Sequence, residues 1–202
     1  MGSRKVILLS IMVSLLSSCA TYKPSNTSDI CHIFRGEIDW YEAARESQHD
    51  WGTPIYVLMA IMHQESRFVA DAQPDRDWLL GFIPLPRKSS AYGYAQAQDP
   101  AWNDYMKQTG SWGADRDDFE DAIDFIGWYT DGSHNRLRIS KWDTYAQYLA
   151  YHEGRGGYSR KSYNKKPWLI GVAKKVARRA VTYNNQLKTC QSRLDDDLDS
   201  WF

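Results

Sequence analysis

Apolar positions recur at three- and four-residue steps through most of the chain, and this pattern predicts helices. Thr53-Pro54 reads as an N-cap followed by proline at the first helical position. Ile55, Leu58, Ile61, Met62 and Glu65 then share one stripe. Asp99-Pro100 opens a second helix, with Trp102, Tyr105 and Met106 on one side. A third spans residues 117–130 through Phe119, Ile123, Ile126 and Tyr129. Ser140 is positioned to cap a fourth, running to Tyr151 and ending at Gly154. Pro167 opens a long fifth helix with Leu169, Val172, Val176 and Tyr183, ending near Cys190. Period-two alternation is scarce and no internal repeat is visible. The expected fold is a mainly α single domain over residues 31–190.

One stretch breaks the pattern. From Asp71 to Ser90 the chain is apolar yet interrupted by prolines. A connection that long is either functional or a small embedded hairpin. Trp78, Leu79, Leu80, Phe82 and Ile83 call for burial, over a cleft or on the flank of the domain. The acidic run Asp195-Asp196-Asp197-Leu198-Asp199 predicts a solvated tail over residues 191–202.

The length of 202 residues suits one domain, and 43% hydrophobic residues supply a core. Lys plus Arg and Asp plus Glu both number 25. That balance argues against a dedicated nucleic-acid binder, which must neutralise phosphates. Nine Trp and 13 Tyr suit ring packing or stacking on sugars.

The N-terminus reads as a targeting segment. Arg4 and Lys5 precede an apolar run from Val6 to Leu16, too short for a membrane-spanning helix of ~20 residues. Leu16-Ser17-Ser18-Cys19 resembles the lipobox of bacterial lipoproteins. The resemblance implies a signal peptide over residues 1–18 and a lipidated Cys19. An ordinary secretory cleavage site is the competing reading. Ala20 leans toward the periplasmic face of the outer membrane, because an Asp there usually signals inner-membrane retention. Residues 19–30 read as the lipidated Cys and a flexible tether. Cys31 and Cys190 remain as an even pair in an oxidising compartment, so a disulfide tying the ends of the domain is expected, against two buried thiols.

Glu65 leaves the core stripe, four and three residues after Ile61 and Met62. A carboxyl there is desolvated and stays protonated near neutrality, as a general acid for glycosidic cleavage requires. A solvent-facing Glu at a helix end is the alternative. Met62-His63-Gln64-Glu65-Ser66-Arg67-Phe68 resembles the Glu-Ser-x-Phe signature of lysozyme-like lytic transglycosylases, of the soluble-lytic-transglycosylase type. Ala91-Tyr92-Gly93-Tyr94-Ala95-Gln96 resembles their Gly-Leu-Met-Gln motif, and Ala150-Tyr151-His152-Glu153-Gly154 their Ala-Tyr-Asn-Ala-Gly motif. The resemblance covers about residues 40–185. It departs from the family in the longer gap between Glu65 and Gly93, in Tyr94-Ala95 for Leu-Met, and in His152-Glu153 for Asn-Ala.

The resemblance implies a lysozyme-like fold and a lytic transglycosylase acting on peptidoglycan glycan strands. Glu65 would protonate the oxygen between N-acetylmuramic acid and N-acetylglucosamine. It would then deprotonate the C6 hydroxyl, which closes a 1,6-anhydro ring. Ser66 would bond near the carboxylate or substrate, or only end the helix. Gly93 would let backbone approach the sugar. Tyr94 would stack or pack, and Gln96 would offer an amide to the glycan. Tyr151 would orient the Glu65 carboxyl. Glu153 as a second catalytic carboxylate is disfavoured, because no water needs activating. The rival readings are a lysozyme-like hydrolase and a catalytically silent glycan-binding lipoprotein.

The five His residues form no zinc-ligand pattern, and Gly154-Arg155-Gly156-Gly157 follows a helix rather than a strand. No metal or organic cofactor is expected, and a monomer is expected. Lys161, Lys165, Lys166, Lys174, Lys175, Arg178 and Arg179 make the C-terminal third basic. That is a solvated face by default, or an attraction for anionic peptidoglycan or lipid headgroups.

Overall fold

A computed structural model describes residues 22–80 and 82–200. The signal segment, Cys19, Ala20 and the terminal Trp201-Phe202 lie outside the described residues. The domain is mainly helical. Its helices are α1 (Ile30–Gly36), α2 (Ile38–Trp51), α3 (Ile55–Ser66), α4 (Asp99–Thr109), α5 (Phe119–Leu137), α6 (Thr144–Ser159) and α7 (Pro167–Asp199). A two-stranded antiparallel hairpin, β1 (Trp78–Leu79) and β2 (Ile83–Pro84), sits between α3 and α4.

The centre of the core is α3. Ile55 and every residue from Val57 to Met62 are buried, so this helix is apolar on all sides and is enclosed by its neighbours. α7 packs along it, while α2 packs on α5 and α6 on α7. Thr53 does not cap α3. Its hydroxyl pairs with the Thr130 hydroxyl at 2.8 Å, and the Gln48 side chain accepts from the Ile55 N–H instead. Asp143, not Ser140, caps α6 by accepting from the Ala146 N–H. Gly154 kinks α6 at φ 72° rather than ending it.

The two ends of the domain differ from expectation. α7 continues past Cys190 to Asp199, about 50 Å in all at 1.5 Å per residue. Leu194 and Leu198 are buried, and Asp195 accepts a 2.7 Å bond from the Tyr41 hydroxyl and pairs with Arg45. The acidic run is therefore the polar side of a packed helix, not a solvated tail. Residues 22–29 are likewise packed: Tyr22 lies edge-on to Trp40, Pro24 is buried, and Asp29 caps α1. They form a strap across the domain, so residues 22–29 do not belong to the flexible tether expected over residues 19–30. A disulfide joins Cys31 in α1 to Cys190 in α7.

Leu79, Leu80, Phe82, Ile83 and Leu85 of the 71–90 stretch are not buried. Leu80 is 75% and Phe82 69% exposed. A two-residue ladder holds the hairpin, and Leu79, Leu80, Phe82 and Ile83 are exposed on it.

Candidate active site

Glu65 lies in the last turn of α3, where the most apolar helix of the molecule delivers it. Its Oε1 is sealed from solvent and has no hydrogen-bond partner among the described residues. Burial pushes its pKa up to about 7. The Tyr148 hydroxyl lies beside the carboxyl and offsets part of that rise. The helix C-terminus, with its negative partial charge, disfavours the carboxylate further. Such a group exchanges a proton near neutral pH, so it can act as an acid and, once ionised, as a base.

The turn after Glu65 is tight. Arg67 and Phe68 both adopt positive φ, at 54° and 61°. Two consecutive non-glycine residues in this region are unfavourable and are held by their surroundings. Ser66 is part of that hold. Its buried hydroxyl donates to the Met62 carbonyl at 3.4 Å and accepts from the Phe68 N–H at 3.2 Å. Both bonds stay within the turn, as in the helix-ending alternative.

The second motif is bonded to Ala72, a few residues beyond this turn. Gly93 has φ 76°, and a Cβ there would meet the Arg116 carbonyl oxygen at 1.9 Å. The glycine is required because the Arg116 backbone approaches it. Its N–H donates to the Ala72 carbonyl, and the Tyr94 N–H donates to the Arg116 carbonyl. Tyr94 is 1% exposed and packs edge-on to Trp40 and Phe119, so it is a core residue and no stacking platform for a glycan. Gln96, at φ 49°, donates its amide to the Ala72 and Gly93 carbonyls at 2.7 and 2.9 Å. Its side-chain NH2 braces the loop instead of facing a ligand.

A groove of about 290 Å³ opens beside this loop. Gln96, Phe125, Tyr129, Tyr151, His152 and Glu153 contribute to its wall. Tyr151 donates its hydroxyl to the Ala95 carbonyl at 2.7 Å, which ties α6 to the second motif. Burial first, and then the nearby Glu65 carboxylate, raise the Tyr151 pKa well above the usual value for tyrosine. Glu65 itself is not on the groove wall; Tyr151 belongs both to that wall and to the carboxyl's surroundings. The residue expected to orient the carboxyl is thus engaged with backbone, and Tyr148, one turn earlier on α6, takes that place. The three-residue spacing of Tyr145, Tyr148 and Tyr151 carries the signal for it.

Glu153 is bound into the fold. It accepts from Lys166 Nζ at 2.6 Å and from the Ser162 hydroxyl, which together hold its pKa below the usual carboxylate range. Its side chain is 4% exposed. A carboxylate so engaged is a poor base for activating water. Among the described residues no cluster of His, Cys, Asp and Glu could hold a metal ion.

A half-buried carboxyl at a helix end, a glycine-dependent loop tied to a kinked helix, and two tyrosines of that helix near the carboxyl define a lysozyme-like site. The profile of the transglycosylase SLT domain matches residues 7–190, and the chain belongs to that family. It carries a lytic-transglycosylase type of domain that acts on peptidoglycan. Comparison with the curated proteins returns no match.

Proposed function

We propose that the chain is a lipid-anchored lytic transglycosylase that cleaves the bond between N-acetylmuramic acid and N-acetylglucosamine and leaves a 1,6-anhydro product. The observation that carries this reading is the half-buried Glu65, with one carboxyl oxygen sealed from solvent and its pKa raised to about 7. Protonated, Glu65 donates to the glycosidic oxygen as the bond to the anomeric carbon breaks. The substrate's own N-acetyl group stabilises the developing cation. The carboxylate then removes the proton of the C6 hydroxyl, whose oxygen closes on the anomeric carbon. The proton returns to Glu65, and no water is consumed.

Tyr148 and Tyr151 support that cycle by surrounding the carboxyl with groups that stay protonated, since burial and Glu65 both push their pKa values upward. The ionic engagement of Glu153 favours this reading over an inverting hydrolase, which needs a second carboxylate to activate water. Ser66, Gly93, Gln96 and Tyr94 then serve as the frame of the site. Lipidation of Cys19 would hold the enzyme at the periplasmic face of the outer membrane, facing the glycan layer.

The test is digestion of purified sacculi followed by mass analysis of the released muropeptides. Products with 1,6-anhydro ends from the wild type, and none from Glu65→Gln, support the proposal. Reducing ends would indicate a hydrolase, and no release by either protein would indicate a glycan-binding lipoprotein.

A further inference from the structure

The cycle above makes no use of His152, Glu153 or Trp168. Glu153 precedes the Gly154 kink of α6 and accepts from Lys166 Nζ at 2.6 Å and from the Ser162 hydroxyl. Lys166 immediately precedes α7, and its carbonyl accepts from the Leu169 and Ile170 N–H groups that open that helix. The clasp therefore fixes the start of α7 to the kinked end of α6. Trp168 is the second residue of α7, two positions after Lys166, with φ of the intervening Pro167 locked by its ring. Leu169 turns into the core, but Trp168 stays 58% exposed. Its indole meets the His152 ring at 5.3 Å and 78°, nearly perpendicular.

This indole adjoins the groove. His152 belongs to the groove wall. Four residues earlier on α6, the Tyr148 ring lies 6.3 Å from the His152 ring, and the Tyr148 hydroxyl lies beside the Glu65 carboxyl. Glu65, Tyr148, His152 and Trp168 thus follow one another in contact, and the indole continues the wall beyond His152. Trp112 and Trp142 are also exposed, but neither is on that wall. An indole joins a flat apolar surface to a single N–H donor. That is the complement of a pyranose ring, which has apolar C–H faces and hydroxyl groups around its edge.

We propose that Trp168 is a sugar-stacking residue: a glycan strand lying in the groove runs past His152 and lays one pyranose ring on this indole. His152 buttresses the indole from the groove side. Glu153 is a positioning residue that acts through Lys166. Both departures from the Asn-Ala of the family motif then serve one purpose, to build and hold an extension of the binding track. The inference rests on the groove taking a glycan strand, but not on the bond-breaking chemistry assigned to Glu65.

The test is binding of peptide-free glycan strands from purified peptidoglycan to the full chain in mild detergent. A Glu65→Gln parent is used so that no strand is consumed. Trp168→Ala should weaken binding about tenfold through lost apolar burial, and Trp168→Phe should recover most of it. Strands should shift the tryptophan emission of the parent to shorter wavelength, and that shift should shrink in Trp168→Phe. Trp142→Ala, at another exposed tryptophan, should bind like the parent. Glu153→Gln should weaken binding about threefold when Trp168 is present and not at all when combined with Trp168→Ala. Equal losses in the two backgrounds would overturn its positioning role. Equal melting temperatures of parent and Trp168 variants verify folding. Equal binding by Trp168→Ala and the parent overturns the proposal and leaves the glycan reading of the groove standing. Failure of the parent to bind strands overturns both. Loss of a concentration-dependent dimer in Trp168→Ala, with strand binding unchanged, also overturns it and assigns the indole to a second copy.

Discussion

Replacing Glu65 by Gln should change how stability depends on pH, independently of any assay of activity. The carboxyl has a folded pKa of about 7 against an ordinary value of 4.5. Because the folded value is raised, its contribution is fully present below pH 4.5 and is lost as pH rises through 7. Over that window the unfolded chain ionises Glu65 freely while the folded chain resists. A shift of this size corresponds to about 3 kcal/mol, as an upper figure, at 1.36 kcal/mol per pH unit. Glu65→Gln cannot ionise and should escape this loss. Any fixed cost of placing an amide in the site is the same at each pH and drops out of the comparison. Urea unfolding of both proteins, with the disulfide intact, measures the difference. Relative to the wild type, the variant should gain up to about 3 kcal/mol between about pH 4.5 and about pH 8. A constant difference across that range would show that the carboxyl is not desolvated, and the reasoning for its acid role would fail with it.

Tyr148→Phe removes the hydroxyl that opposes the rise in Glu65 pKa, so the alkaline limb of the kcat/KM profile should move to higher pH; an unmoved or lowered limb would refute its part in tuning the acid. Gly93→Ala places a methyl group 1.9 Å from the Arg116 carbonyl oxygen at a positive φ, and should cost at least ~2 kcal/mol, read as a fall in melting temperature. Opening the Cys31–Cys190 bridge by Cys31→Ser with Cys190→Ser frees a loop of 159 residues. The expected loss is about 2–5 kcal/mol, measured by urea unfolding, and no loss would mean that α1 and α7 hold together without it.

The periodic apolar positions carried much of this fold, because most of the helices bury a face that recurs every third or fourth residue. α1 and α2 went unassigned even though Trp40, Tyr41, Ala43, Ala44 and Ser47 follow the same rule. Their polar neighbours and the adjoining tether composition obscured it. The extent of α7 was hidden by counting charges. Asp195 to Asp197 suggest solvent, whereas Leu194 and Leu198, one turn apart, bury the opposite side. The desolvation of Glu65 was legible because the residue continues an apolar stripe. Gly93 and Tyr94 were legible as a motif but not in their physical roles. Only the fold brings the Arg116 backbone against the glycine and Trp40 against the tyrosine. Tyr148 was overlooked because its contact with Glu65 joins two helices 83 positions apart in the chain. The hairpin was expected to be covered, and what an exposed apolar tip is for depends on its surroundings rather than on its composition.

The role of Glu65 is read most directly from the ends released when wild-type protein and Glu65→Gln act on purified sacculi. Muropeptides lacking one water at the N-acetylmuramic acid end are expected from the wild type, and none from the variant, with the variant still folded. Release by Glu65→Gln at the wild-type rate would contradict that role.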